Sequence, residues 1–383
     1  MSNHPPAHDL PRVVIDLEKL RHVNTGLGRF SLHLGQEMLS VAANRFEPVF
    51  FLPSSAASYF TTHVHNTIAV KEWKKESLQR VIRPFVQPFV RKARWALWHT
   101  THQAAKYLPF DDRTPLLLTI HDLNFLHDES GNTPSPPLTT RQRRKLAAVQ
   151  RLVDRSCAIV TDSSYVAEEV KKFVDIGSRP VHVVPLGLAE PSPASAQRPA
   201  FLPPGQFVLT VGNCLPHKNF HVLLGMIKAL PDKRLVIAGK KATPYGAAIE
   251  REIAASELSG HVVMAGEVSD GDRQWLYENC EAFLFPSLTE GFGFPVLEAM
   301  QCGKPVFMSR RTSLPEIAEA HGFFFDSYEA DHMAHVFQRG MQRFSDQSCA
   351  AQCRLHASSF SWRRTAEHYA SIYETILGVG RSP

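Results

Sequence analysis

The stretch Phe285-Pro286-Ser287-Leu288-Thr289-Glu290-Gly291-Phe292-Gly293-Phe294-Pro295-Val296-Leu297-Glu298-Ala299-Met300 places two carboxylates around a glycine turn just ahead of a helix. The apolar run Ala282–Phe285 before it reads as a buried strand, Gly291 and Gly293 permit a tight backbone path, and Pro295 sits where a first helical turn accepts it. Amides at that helix start have no partner within the helix, and with the helix dipole they favour a phosphate. Glu290 in the loop and Glu298 inside the helix then reach different hydroxyl groups of one ligand. A corner that was only structural would need neither carboxylate.

Working outward, 383 residues suit two α/β domains better than one core, and a hydrophobic fraction of 44% fills a sizeable interior. No uninterrupted apolar run approaches the roughly 18 residues of a membrane span, and Met1 to Arg12 is polar and proline-bearing rather than signal-like. The expectation is a cytoplasmic protein, soluble or peripheral on the inner face of the cytoplasmic membrane. The six cysteines are scattered without a CxxC pair and read as reduced core residues; Cys349 and Cys353, on a predicted helix without further ligands nearby, read the same way.

A formal charge of +5 is modest for a nucleic-acid binder, and no nucleic-acid partner is expected, but the charge is unevenly spread. Lys71–Lys106 carries nine basic residues against two acidic ones, interleaved with Trp73, Phe85, Phe89, Trp95 and Trp98. That composition suits an anionic membrane surface; the competing reading is a solvated helix face whose aromatics pack inward.

Short β-rich runs alternate with helical patterns along the whole chain, which predicts βαβ units and parallel sheets. Strands are predicted at Val13–Leu17, Pro48–Leu52, Leu116–Ile120, Ala158–Thr161 and Val181–Val184. A proline- and serine-rich break follows from Glu190 to Pro199. A second series then runs Phe207–Val211, Leu235–Ala238, Val262–Ala265, Ala282–Phe285 and Pro305–Met308. The predicted division is residues 1–190, a linker over 191–204, a second domain over 205–360, and a terminal helix over 361–383. That helix carries Trp362, Ala366, Tyr369, Ile372, Tyr373 and Ile376 at spacings of three and four, a single stripe that must be buried. Gly26–Arg29, His121, Asn213 and Glu290 all fall after predicted strands, so they are expected beyond the carboxyl ends of two open sheets, facing an interdomain cleft.

Glu290 and Glu298, with Gly-Phe-Gly-Phe-Pro between them, match the E-x7-E signature of the retaining family-4 glycosyltransferases of GT-B fold. The resemblance extends over nearly the whole chain. It runs from Thr25-Gly26-Leu27-Gly28-Arg29 through His121-Asp122-Leu123 and Val211-Gly212-Asn213 with Pro216-His217-Lys218-Asn219, to Gly266-Glu267-Val268-Ser269 and Phe360-Ser361-Trp362. It implies two Rossmann-like domains, with the terminal helix crossing back onto the N-terminal, acceptor-binding one. It also implies a sugar-nucleotide donor on the C-terminal domain. Lys218 would hold the diphosphate, Glu290 would lie by the donor sugar, and Glu298 would accept hydrogen bonds from the ribose. Gly291, Phe292, Gly293 and Phe294 would form the donor turn, and His121 would contact the sugar near its reacting centre unless it is an interior histidine satisfied by backbone. Asn213 stands where several family members carry arginine; it can donate a hydrogen bond but supplies no charge.

Gly26, Gly28 and Arg29 admit either a close approach to phosphate or acceptor, or a simple turn before a helix over Phe30–Met38. Asp270-Gly271-Asp272 has the form of a D-x-D metal motif, yet acidic residues in a first helical turn account for it. Fixed cations stabilise a departing diphosphate without metal, so neither metal nor cofactor is expected. Two carboxylates also suit a glycosidase, but a hydrolase has no use for Lys218 and a helix start facing a diphosphate. The resulting expectation is a retaining hexosyltransferase, with mannose from GDP-mannose favoured and a glycan or polyprenyl-linked saccharide as acceptor in polysaccharide synthesis. A glucosyl- or deoxysugar transferase using a UDP- or dTDP-sugar stays open, as do non-enzymatic readings as a nucleotide-sugar-binding protein or a membrane scaffold.

Overall fold

The computed structural model describes residues 10–60, 67–70, 95–109, 111–127, 138–191, 193, 198–344 and 347–378. In chain order the first elements are β1 (Arg12–Asp16), α1 (Gly26–Val41), β2 (Glu47–Pro53), β3 (Thr67–Val70), β4 (Leu97–Thr100), β5 (Leu116–Ile120), α2 (Thr140–Arg155), β6 (Ala158–Thr161), α3 (Ser164–Phe173) and β7 (Val181–Val183). Next come β8 (Val208–Val211), α4 (Val222–Lys228), β9 (Leu235–Ala238), α5 (Pro244–Ala255), β10 (Val262–Gly266), α6 (Asp270–Asn279), β11 (Ala282–Phe285) and α7 (Phe294–Gln301). The chain closes with β12 (Val306–Ser309), α8 (Leu314–Ala318), β13 (Gly322–Phe325), α9 (Ala330–Arg343), α10 (Gln347–Ser358) and α11 (Trp362–Leu377).

Two compact units result: Met1–Asp122 with Thr139–Gly187 and Ser361–Pro383, and Leu123–Leu138 with Leu188–Phe360. The chain thus changes unit after Asp122, Leu138, Gly187 and Phe360, the third of these ahead of the proline- and serine-rich break.

The first unit is built on a seven-stranded sheet in the order β3-β2-β1-β4-β5-β6-β7, every pair parallel. Its central strands Val13–Ile15, Leu97–Thr100 and Leu116–Ile120 are buried on both faces, and the first and last of them read as continuous apolar runs rather than alternating ones. Strand β4 escaped the sequence reading because its four residues include His99 and Thr100 and it lies within the basic segment Lys71–Lys106. Trp98 is in the middle of this strand, 5% exposed, with its ring against Phe51 and not available to a lipid headgroup layer. The guanidinium of Arg12 lies over the Trp95 ring at 5.1 Å. Residues 71–94 of the expected membrane segment lie outside the described residues. Among the described residues, no helix is long and apolar enough to cross a membrane.

The last helix, α11, is part of this first unit. Trp362, Ala366, Tyr369, Ile372 and Tyr373 are buried as the stripe predicts, while Ile376 at the helix end is half-buried. The Trp362 ring stacks on His33 of α1 and meets Phe30 edge-on. A paired set of 2.6 Å bonds from Arg45 to Glu374 closes the far end. Beneath the helix, Tyr373 Oη lies 2.7 Å from His99 Nδ1, Thr119 Oγ1 lies 2.8 Å from His99 Nε2, and Tyr369 Oη lies 3.0 Å from Thr119 Oγ1. Burial keeps His99 neutral by pushing its pKa down to about 3.

The second unit carries a six-stranded parallel sheet in the order β10-β9-β8-β11-β12-β13. Its apolar core joins Val208, Phe220, Leu224, Ile237, Leu284 and Phe337. Strand β13 was not anticipated from Gly322-Phe323-Phe324-Phe325, whose unbroken aromatic run carries no period.

Candidate functional site

The site in the second unit is assembled from loops at the carboxyl ends of β8 and β11. After β8 the chain enters a 3-10 turn, Pro216–Lys218, which Asn219 closes at φ 58°, a left-handed conformation that asparagine tolerates. The His217 carbonyl accepts the Leu288 amide at 2.7 Å, binding this turn to the loop after β11. Lys218 and Glu290, 72 positions apart, therefore meet: Lys218 Nζ donates to Glu290 Oε1 at 2.6 Å. Nζ also lies over the Phe285 ring, 5.2 Å from its centroid. The two side chains are 14% and 13% exposed, so the pair is largely but not wholly removed from water.

Glu290 is held from several directions. The Ser287 hydroxyl has one hydrogen, and the Glu290 carboxylate at 2.6 Å takes it in preference to the His217 carbonyl at 3.2 Å. The Glu290 amide donates to Thr312 Oγ1 at 3.1 Å, and the Ser313 hydroxyl sits between the carbonyls of Glu290 and Phe292. Gly293 then opens α7 at φ +123°, and a Cβ there would also come within 2.9 Å of Leu314, so only glycine fits this corner. Glu298, within α7, accepts a 2.8 Å hydrogen bond from the hydroxyl of Tyr277, a fully buried ring on α6.

Asn213 is exposed, and its Oδ1 accepts the Lys240 amide at 3.3 Å, linking the loops after β8 and β9. Phe292 lies in the turn with its ring turned inward. Its side chain is 5% exposed and packs on Phe294 and Phe360, so it supports the turn from inside. Asp270 and Asp272 occupy the first turn of α6, capped by Ser269 Oγ accepting the Asp272 amide, and Asp270 pairs with Arg273 at 3.2 Å.

The remaining predicted residues lie in the first unit. His121, just after β5, is 6% exposed. Its Nδ1 lies 2.6 Å from Asp162 Oδ2 and its Nε2 lies 2.8 Å from the Thr101 carbonyl. Both ring nitrogens are engaged, Nε2 by a backbone carbonyl and Nδ1 by Asp162, whose own carboxyl burial pushes up, so one proton is shared within a buried pair. Burial pulls its pKa down, but the charge and hydrogen bond of Asp162 and the Thr101 carbonyl outweigh that and raise it. The expected contact between His121 and a sugar therefore has no free ring nitrogen to make it. The interior reading describes the ring better, with a carboxylate added to the backbone partner.

The loop at Gly26–Arg29 also differs from its expectation. The helix begins at Gly26, not Phe30, because Thr25 caps it and its Oγ1 accepts the Gly28 amide at 3.2 Å. A Cβ on Gly28 would lie 2.1 Å from the His22 carbonyl oxygen, so this glycine serves the chain's own close approach. Gly26 is exposed, with nothing near a Cβ built on it. Arg29 is half-buried, and its amide donates to the Thr25 carbonyl at 2.9 Å.

Sequence reasoning missed Ser287, Tyr277, Thr312, Ser313, Thr101, Asp162 and Asp16. Asp162 directly follows the predicted strand Ala158–Thr161, so the rule that selected His121 would have selected it too. Asp16, at the end of β1, is fully buried; its Oδ1 accepts the Glu18 amide at 2.9 Å. Burial pushes its carboxyl up to about 7, against the lowering effect of that amide and of Lys19 and Arg21.

Two units each built on an open parallel sheet, one carrying Lys218 and Glu290 in loops beyond its strand ends and Glu298 on the helix that follows, have the GT-B fold. Residues 194–343 match the family described as "Glycosyl transferases group 1", so the C-terminal part of the chain is a domain of that kind. Among curated proteins the chain is similar to the O-antigen chain mannosyltransferase B of Escherichia coli, with 26% identity over 95% of this chain and 100% of that one. It is also similar to the serotype-specific mannosyltransferase WbdA of Escherichia coli, with 29% identity over 64% of this chain, and it spans only 32% of that protein's length. Among solved structures, sucrose-phosphate synthase from Thermosynechococcus elongatus superposes with a TM-score of 0.69 at 16% identity, covering 96% of this chain and 99% of that one.

Proposed function

We propose that the protein is a retaining mannosyltransferase that moves mannose from GDP-mannose to a glycan or lipid-linked saccharide in polysaccharide assembly. The observation that carries this reading is the Lys218–Glu290–Ser287 cluster at the strand ends of the matched domain, with Glu298 on the helix that follows. A relative named as an O-antigen mannosyltransferase over its full length supports the choice of sugar. Breaking the bond between the anomeric carbon and the phosphate oxygen leaves negative charge on the diphosphate, and the Lys218 ammonium is the fixed cation for it. Glu290 and Glu298, as carboxylates, each accept hydrogen bonds from two neighbouring hydroxyls, the first from the sugar and the second from the ribose. Because Lys218 supplies the charge, the reaction proceeds without a metal ion.

The test is to incubate the chain with GDP-, UDP- and dTDP-sugars and a polyprenyl-linked saccharide, following sugar transfer in the presence of EDTA. GDP-mannose should be consumed with retention of anomeric configuration, and Lys218→Ala should lower turnover by about a hundredfold with the fold intact. Transfer from another nucleotide only, or loss on chelation with rescue by manganese, overturns the donor or the metal-free assignment respectively.

A further inference from the structure

The residues assigned to different parts of the donor are bonded to each other. Lys218 Nζ and Ser287 Oγ both donate to the same oxygen of Glu290, each at 2.6 Å, and a phosphate oxygen reaching Lys218 must compete with that carboxylate. Resting on the donor site proposed above, we infer that Glu290 is an internal competitor for Lys218 that selects the intact sugar nucleotide over the bare nucleoside diphosphate.

The physical argument turns on what Glu290 is left with. Its side chain is 13% exposed, its backbone is held by Thr312 and Ser313, and Ser287 bonds its carboxylate, so a carboxylate that loses Lys218 at this position stays largely out of water. A bare diphosphate takes the ammonium and leaves a partly desolvated carboxylate beside further negative charge, an arrangement that costs binding free energy. A donor that still carries its sugar brings hydroxyl groups, which replace the hydrogen bond that the carboxylate gave up. When the sugar has been transferred, those hydroxyls leave with it, the ion pair re-forms, and the nucleoside diphosphate is displaced. Glu290 in this role determines specificity for substrate over product, and Ser287 positions it.

The experiment compares the wild-type chain with Glu290→Gln and Glu290→Ala by calorimetric binding of GDP-mannose, GDP and inorganic pyrophosphate. Both variants should bind GDP and pyrophosphate about tenfold more tightly than wild type, while GDP-mannose gains little or weakens, so the preference for the intact donor shrinks. Lys218→Met should lose the gain when combined with Glu290→Gln. If both variants bind GDP-mannose yet hold GDP no more tightly than wild type, the competition is overturned and the donor site stands. If neither the wild type nor the variants bind any of the three, both readings fall.

Discussion

Tyr277 offers a test of the separate roles proposed for the two glutamates. Its ring is buried and its hydroxyl donates to Glu298 at 2.8 Å, so it orients the carboxylate proposed to meet the ribose. Tyr277→Phe should therefore raise the KM for the donor about three- to tenfold with kcat nearly unchanged, since a contact made equally in ground and transition state affects binding alone. Steady-state kinetics against donor concentration decide it; a fall in kcat as large as the rise in KM would move Glu298 to the reacting centre. The pattern glutamate-x7-glutamate was legible in the sequence because both residues flank one local turn. Tyr277 was not, because nothing in Trp275-Leu276-Tyr277 reveals which side of α6 meets α7.

At the scale of elements, α1 offers two glycines whose substitution should have opposite effects. A Cβ at Gly28 would collide with the His22 carbonyl oxygen at 2.1 Å, whereas one at Gly26 meets nothing within 4 Å. Gly28→Ala should cost about 1–3 kcal/mol through backbone displacement at the helix start. Gly26→Ala should be neutral or stabilising by up to about 1 kcal/mol, because alanine restricts the unfolded chain. Urea unfolding of both variants provides the check. Equal effects would mean that the His22–Thr25 turn yields freely. The spacing of the two glycines left open a ligand loop or a simple turn before a helix; the structure shows that Gly28 makes room for the chain itself.

At the scale of the whole molecule, the buried titrating groups of the first unit set the pH response of stability. His99 and His102 are buried neutral, with pKa values pushed down to about 3 and about 2, chiefly by burial. Each contributes stability that is present above its unfolded pKa, about 6.5, and is lost as pH falls toward the folded value. Asp16, raised to about 7, acts in the opposite sense, contributing stability that is full below about 3.8 and lost as pH rises through 7. Asp16→Asn removes that loss, since an amide stays uncharged. The melting temperature of the variant should approach that of wild type near pH 4.5 and exceed it by several degrees at pH 8. A difference that does not change with pH would show that Asp16 is ionised throughout.

By itself the sequence determined what local chemistry can encode. Alternating β-rich and helical runs required two parallel sheets, the apolar stripe from Trp362 to Tyr373 required a buried terminal helix, and Glu290-Gly-Phe-Gly-Phe-Pro required a turn into a helix start. Tertiary structure alone decided which distant residues meet. Lys218 faces Glu290 because β8 and β11 are neighbours in the sheet, and His121 is locked to Asp162 because β5 lies beside β6. The four-residue strand β4 is inserted between β1 and β5, which puts the polar His99 under the hydroxyl of Tyr373. Periodicity and turn propensity act over a few residues. Strand order and register depend on how the separate elements pack, so the ion pairs that define the site's charge state belong to the folded chain alone.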